Sequence, residues 1–306
     1  MKTVSNPDCY SEVSKAASSI DLWNDFVFSL KNESDSIIKE KGFFYGEGES
    51  RLKIAKSLDS AILNLPDKFA LLFSGGVDSA VIAVIAKRLN KNFTCFLLGD
   101  DSSKDVLFAR KIAKDYSLDL IEINPDDDAI VKALKEVSFI LDTKEYVTLS
   151  IALVLFFCLE KISESGFLCA VTGLGSEEIF AGYQRHLDSF NNGSDLYVEC
   201  WKGVSGMFSR DVLRDFPVAD YFGITLVSPF LCRDVILSAM SSDPKLKIKD
   251  GVKKYVLRLA SLDLGLSEEY AMRKKLAAQY GSNMDKRIGK IARSYGMKKS
   301  DFVRSL

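Results

Sequence analysis

The chain has 306 residues, 47% of them apolar, and sets 41 Lys+Arg against 42 Asp+Glu for a net charge of -1. Such values describe a soluble globular protein with one large domain, or one plus a small appendage. They give no global electrostatic case for nucleic acid or an anionic membrane, so only a local patch could serve either.

In chain order, residues 1–45 look helical and polar-capped, and Tyr45-Gly46-Glu47-Gly48-Glu49 reads as a linker. The expected organisation is therefore a helical extension over 1–45 and one domain over 46–306. The N-terminus, MKTVSNPDCYSEVSK, lacks the apolar core of a signal peptide. Strands and helices then alternate. The strand FALLF (Phe69 to Phe73) precedes a helix over 79–90, and TCFLLG (Thr94 to Gly99) precedes a helix over 104–116. LDLIEI (Leu118 to Ile123) leads into a helix from about Asp127; a long helix covers 144–165, and FLCAVTG (Phe167 to Gly173) is a fourth strand. Short apolar runs separated by amphipathic helices predict βαβ units. The fold class is α/β, a doubly wound parallel sheet with helices on both faces. From about Asp195 the pattern turns mostly helical, with one apolar extended piece at Ile224 to Phe230.

The longest apolar run, Val147 to Leu159, falls short of the ~20 residues needed to span a bilayer, so a buried helix and no membrane are expected. The six cysteines (Cys9, Cys95, Cys158, Cys169, Cys200, Cys232) include no CxxC pair, and four lie in apolar surroundings and read as small core residues. A reduced, cytoplasmic protein is the expectation. His186 is the only histidine, which excludes a His-based metal cluster, and it reads as structural. Trp23 and Trp201 read as packing. The basic tail from Lys286 to Arg304 predicts a solvated amphipathic helix pair, the one stretch that could meet an acidic partner or RNA.

Between the first strand and helix stands Ser74-Gly75-Gly76-Val77-Asp78-Ser79. A glycine-rich turn opening a helix points free backbone N–H groups, and the positive end of the helix dipole, at one spot, which makes an anion site. The glycines let the backbone approach a phosphate closely, and the flanking serines add hydroxyl donors. Asp78 narrows the reading, because a carboxylate beside a phosphate cradle repels the ligand unless a divalent cation lies between them. A lone Gly-Gly pair is usually a plain turn; the whole SGGxDS string between strand and helix resembles the pyrophosphate loop of the N-type ATP pyrophosphatases. Those enzymes cleave ATP between the α and β phosphates and activate a substrate as its adenylate. No GxxxxGKS/T string occurs, so a γ-phosphate-cleaving P-loop enzyme is not supported. The absent CxxC also argues against the zinc- or iron–sulfur-bearing tRNA thiolases that share this loop.

A second constellation follows the fourth strand: Thr172-Gly173-Leu174-Gly175-Ser176-Glu177-Glu178-Ile179-Phe180-Ala181-Gly182-Tyr183. Loops outside the carboxyl ends of parallel strands form the crevice where a doubly wound sheet holds its ligand. Glu177 and Glu178 open a helix, where carboxylates are favoured anyway, so helix capping is the bland reading. A Rossmann reading fails for want of a third glycine at the required spacing. The string resembles the GEGxDExFxGY signature of the asparagine synthetase synthase domain. Further pieces recur in that family's order: Asp105 to Lys114, Ser228-Pro229-Phe230-Leu231 like VPFLD, Lys254 through Leu257-Arg258 like K..LR, and Arg273-Lys274-Lys275 like the closing R.K. The resemblance covers roughly residues 50 to 285. GYQRH (Gly182 to His186) and AAQYGS (Ala277 to Ser282) look closest to the asparagine synthetase domain-containing proteins of archaea and eukaryotes.

The resemblance implies an adenine nucleotide α-hydrolase-like fold that uses ATP and Mg²⁺. Ser74, Gly75, Gly76, Asp78 and Ser79 would hold the phosphates, with Phe73, Leu98, Thr172 and Gly173 lining the nucleotide site. Asp78 and Glu177 would share the metal. Lys275, with Arg273 of the same motif and Asp78, would serve catalysis, a lysine being suited to charge that develops on departing phosphates. The plain reading of Lys275 is a solvated helix face. Three departures stand beside these matches. The family's glutamate in GEG is Leu174, the arginine before VPFLD is Val227, and its final aspartate is Cys232. Residues 1–45 are too short for a glutamine-hydrolysing domain, so the nitrogen donor would be free ammonia, a substrate amine or an ammonia-supplying partner. The expected function is an ATP-dependent, AMP-forming carbon–nitrogen ligase acting on a small-molecule carboxylate, with asparagine biosynthesis as the family label. The alternatives are an ATP-binding regulatory protein without amide synthesis, or a tRNA-modifying adenylating enzyme.

Overall fold

The computed structural model of the chain describes residues 9–44, 46–273 and 281–306, and a five-stranded, wholly parallel sheet runs through its centre. Strands β1 (Lys68–Leu72), β2 (Asn92–Leu98), β3 (Leu120–Ile123), β4 (Cys169–Val171) and β5 (Thr225–Val227) lie in the order β3-β2-β1-β4-β5. The chain winds outward from β1 to β3, returns to pair β4 against the other side of β1, and ends at β5. The direction of winding therefore reverses between β1 and β4, and the crevice of a doubly wound sheet opens at that reversal. The extended piece expected at 224–230 resolves into β5 and a short 3₁₀ turn, Pro229–Leu231.

Both faces of the sheet are covered, which explains why its strands are continuous apolar runs rather than alternating ones. Phe69 and Leu71 of β1 and Phe93, Cys95 and Leu97 of β2 belong to one core, while Ala70, Phe96 and Leu98 belong to the other. Helices α4 (Val77–Arg88) and α5 (Lys104–Asp115) cover the first face. Helices α6 (Asp127–Leu141) and α7 (Tyr146–Glu164) cover the second. Helix α7 has 19 residues and is long and apolar enough to cross a membrane by length and composition. In this fold it instead buries Leu149, Leu153, Phe156 and Ile162 in the second core. The basic tail forms two amphipathic helices, Met284–Ser294 and Lys299–Ser305, whose Ile288, Ile291, Phe302 and Val303 join the same core.

The N-terminal segment is helical, as its pattern suggests: α1 (Cys9–Ala16) and α2 (Ile20–Lys41), the latter capped by Ser19, whose hydroxyl accepts from the Leu22 N–H at 3.2 Å. Trp23 is fully buried and its indole N–H donates to the Val204 carbonyl at 3.1 Å, while Trp201 is nearly so, and both pack in the first core. The expected linker is corrected: helix α3 (Glu47–Leu63) already begins at Glu47, and Gly48 lies inside it. Tyr45 lies outside the described residues. The reading of four cysteines as core residues holds, but the expectation of a fully reduced chain is corrected at one pair. Cys9 and Cys232 form a disulfide, brought together as α1 packs beside the 229–231 turn, whereas Cys95, Cys158, Cys169 and Cys200 are buried free thiols.

His186, in helix α9 (Gln184–Asn191), is fully buried, and neither ring nitrogen has a hydrogen-bond partner among the described residues. Its pKa is pushed down to about 4, first by burial and then by the cations of Arg185 and Lys247. A folded-state pKa below the unfolded value of ~6.5 means that the unfolded chain takes up the proton first. Stability contributed by the neutral imidazole is intact above ~6.5 and is lost as pH falls toward 4. Urea denaturation is expected to show a loss on the order of 2 kcal/mol over that window, and His186→Leu should flatten that part of the profile.

Candidate functional site

The loop after β1 closes on itself before it opens toward the crevice. The Ser74 N–H donates to Ser79 Oγ at 3.2 Å, and Ser79 Oγ in turn donates to the Gly76 carbonyl at 3.3 Å. Gly75 adopts φ 66, and a Cβ there would stand 3.0 Å from Ala109 of α5, so glycine answers both a backbone and a packing demand. Gly76 is the N-cap of α4 and offers no side-chain cap, which leaves the first N–H groups of the helix directed at the crevice. Asp78 and Ser79 fall in that first turn. Phe73 and Leu98, expected to line a nucleotide site, are buried, one in each core, so the carboxyl ends of β1 and β2 present their backbone there. Thr172 donates its N–H to the Val227 carbonyl at 2.9 Å.

The loop after β4 meets the first loop at glycines. A Cβ on Gly173 would stand 3.0 Å from the Cβ of Asp78. Helix α8 (Ser176–Ile179) follows, with Gly175 as its N-cap at φ 93 and packed on Leu231. Adjacent positions on a helix point about 100° apart, which separates its two glutamates. Glu177 turns to the crevice. Glu178 turns inward and is 1% exposed; it accepts from the Tyr183 hydroxyl at 2.8 Å and pairs with Arg210. Burial, then Asp211, push the Glu178 pKa up to about 7 against the pull of Arg210. A π-helical turn, Phe208–Val212, supplies Arg210 and Asp211.

The residue that joins the two loops is Lys254. Its ammonium donates to Asp78 Oδ1 and Oδ2 at 2.9 and 2.8 Å and to Ser176 Oγ at 3.0 Å, and it lies 2.6 Å from Glu177 Oε1. Burial lowers its pKa, but Asp78 and Glu177 more than offset this and hold it above the usual lysine range. Lys254 has a left-handed backbone, φ 57 and ψ 30, at the N-cap of α10 (Tyr255–Asp263). A non-glycine residue there signals a backbone over-determined by its surroundings. One turn on, the Arg258 guanidinium donates to the carbonyls of Lys253 at 2.8 Å and Arg273 at 3.0 Å. Arg273 itself reaches the Gly75 carbonyl at 3.3 Å and pairs with Asp105. Arg273, expected to serve catalysis, thus sits beneath the 74–79 loop, held between Asp105 and Gly75. Lys275 lies outside the described residues.

The structure thus brings Asp78, Glu177 and the 74–79 loop to one place, and adds Lys254 and Arg258. The K..LR spacing marked these two residues in the sequence, but nothing in that spacing assigns them a task. Of the three departures, Leu174 and Val227 are half-buried against the first core, and the Leu174 carbonyl accepts from Ser228 Oγ at 2.6 Å. Cys232 is engaged by Cys9.

The Asparagine synthase family model matches residues 66–217 and 189–299. A protein named as an asparagine synthetase (glutamine-hydrolysing) in Methanocaldococcus jannaschii is 27% identical over 267 residues, covering 76% of this chain and 49% of its own length. Asparagine synthetases of Brassica oleracea and Arabidopsis thaliana are 28% and 26% identical, over 63% and 68% of this chain and 35% and 38% of their own lengths. The chain spans about half the length of the M. jannaschii relative and less of the plant ones.

Gly182 closes the site from behind. Its N–H donates to the Glu177 carbonyl at 2.8 Å, and a Cβ would fall 1.8 Å from Glu177 Oε2 and 2.3 Å from Lys254 Cε. Gly182→Ala is expected to destabilise the protein by ~1–3 kcal/mol in urea titrations. Gly48→Ala, in α3 with nothing within 4 Å of the added carbon, should stabilise by up to ~1 kcal/mol in the same measurement.

Proposed function

Because the chain belongs to the asparagine synthase family, we propose that it is an ATP-dependent ligase that adenylates a small-molecule carboxylate, releasing pyrophosphate, and passes the acyl group to an amine or ammonia. One observation carries this reading. At the reversal of the strand order, two glycine loops bring Asp78 and Glu177 to within 2.9 Å of a single buried cation.

On this reading the uncapped N–H groups of α4, with Ser74, Gly75, Gly76 and Ser79, hold the ATP phosphates, and Thr172 and Gly173 with the ends of β1 and β2 border the nucleotide. Asp78 and Glu177 would hold Mg²⁺. The fit is supported by their carboxylates already converging on one positive centre, and the ion when bound there would neutralise charge on the phosphates. Arg273 fixes the loop from below through the Gly75 carbonyl. Lys275, two residues on, is the proposed catalytic cation for the departing pyrophosphate.

A second reading, ATP binding without amide synthesis, is favoured by the acceptor side. Where the family has a glutamate, an arginine and an aspartate, this chain has two apolar side chains packed on the core and a cysteine bonded to Cys9. Losing one transition-state contact typically costs ~10²–10³ in rate. Aspartate and ammonia are therefore expected to give asparagine slowly or not at all, whereas a less polar carboxylate would meet a compatible surface.

In calorimetric titrations Asp78→Asn is expected to weaken Mg²⁺-dependent ATP binding at least ~10-fold, equivalent to ~1.4 kcal/mol. Chromatography of ATP turned over with candidate carboxylates should give AMP and pyrophosphate. ADP as the main product, or unchanged affinity in Asp78→Asn, would overturn the proposal.

A further inference from the structure

The Lys254 ammonium has three N–H donors, and the crevice offers an acceptor for each: Asp78, Glu177 and Ser176. The side chain is 5% exposed, and the close approach of Gly182 to its Cε leaves it little room to swing within the protein. Its backbone is fixed in the left-handed region, with the Lys253 carbonyl beside it held by Arg258. A surface lysine that happened to touch a carboxylate would have none of these constraints. We propose that Lys254 is a positioning residue that acts as a resident counter-cation. It holds Asp78 and Glu177 in place and keeps a divalent ion out of the crevice until one arrives together with a polyphosphate.

The physical reason is an exchange of partners. A divalent ion entering alone must displace the ammonium from both carboxylates. It leaves behind a buried, positively charged group with no acceptor except Ser176, which is costly. An ion that arrives with a nucleotide brings phosphate oxygens, and these accept the N–H bonds that the carboxylates release. Hydrogen bonding is then conserved on both sides, and positive charge is added only where negative charge accompanies it. Metal binding becomes conditional on nucleotide through differential stabilisation alone. The inference rests on the ATP·Mg²⁺ reading of the crevice.

Mn²⁺ serves as the probe, followed by electron paramagnetic resonance and calorimetry on the full chain, with and without the non-hydrolysable analogue α,β-methylene-ATP. The wild type is expected to bind Mn²⁺ at least tenfold more weakly without the analogue than with it. Lys254→Met should raise nucleotide-free Mn²⁺ affinity tenfold or more, and Mn²⁺ should restore melting temperature to this variant while leaving the wild type unmoved. Should Lys254→Met not fold, Lys254→Gln, which keeps a hydrogen bond to Ser176 without the charge, takes its place with the same expectation. Unchanged nucleotide-free affinity in the variant, or equal Mn²⁺ affinity of the wild type in both conditions while the analogue still binds, overturns this inference and leaves the nucleotide reading standing. A wild type that binds no analogue at all overturns both.

Discussion

Two carboxylates, each in the first turn of a helix that follows a glycine-rich loop, share one buried ammonium, and the rest of the site is arranged to permit it. Asp78 and Glu177 would repel each other strongly in a crevice of low dielectric. The Lys254 cation lying between them reverses the sign of that interaction. The glycines then become intelligible as a set. Gly173 leaves room for the Asp78 side chain, Gly182 makes room for Glu177 and Lys254, and Gly175 lets α8 turn over Leu231. Arg258 and Arg273 extend the same logic outward. They tie the chain around residue 273 to the segment bearing Lys254 and to the floor of the 74–79 loop.

Directly behind this charged edge lies a second polar layer. Glu178, next in sequence to Glu177, faces Tyr183 and Arg210 instead of the crevice, and Asp211, Arg214 and Asp215 continue the chain of pairs below it. Single removal of a member would leave a buried charge uncompensated, so such layers tolerate little change. The π-turn at Phe208–Val212 inserts the extra residue that turns Arg210 and Asp211 toward α8, in keeping with the tendency of such bulges to lie near functional groups. Helix α8 is only four residues long and could not hold its two glutamates apart by its own hydrogen bonds. It is positioned by what its side chains grip on either side.

The sheet was legible because its strands are short apolar runs interleaved with amphipathic helices, and the SGGVDS and TGLGSEE strings fall at the carboxyl ends of β1 and β4, as the winding requires. Asp78 and Glu177 were legible for the same reason. Other features were hidden by their dependence on distance in sequence. Lys254 meets Asp78 across 176 positions, and no local pattern states that it will. Gly46 to Glu49 reads as a linker because two glycines dominate a short window, yet tertiary packing of Ile54, Leu58 and Ile62 carries α3 back to Glu47. The Cys9–Cys232 pair was invisible for a related reason: spacing without a repeated motif says nothing about which sulfurs approach.

The pairing of β1 with β4 joins Ala70 to Ala170 and Leu71 to Val171, across the whole intervening β2–α7 segment. No other strand pair in the sheet spans so much chain. Closing a loop of that size costs entropy before any contact rewards it, so contacts of this kind form late and slow the folding of the proteins that contain them. During synthesis the first three strands emerge with their helices and can pair locally, but the 74–79 loop then has only one wall. The crevice comes into being when β4 docks. A chain halted short of residue 170 therefore exposes an unpaired β1 edge, and the fold and its crevice are completed in the same step.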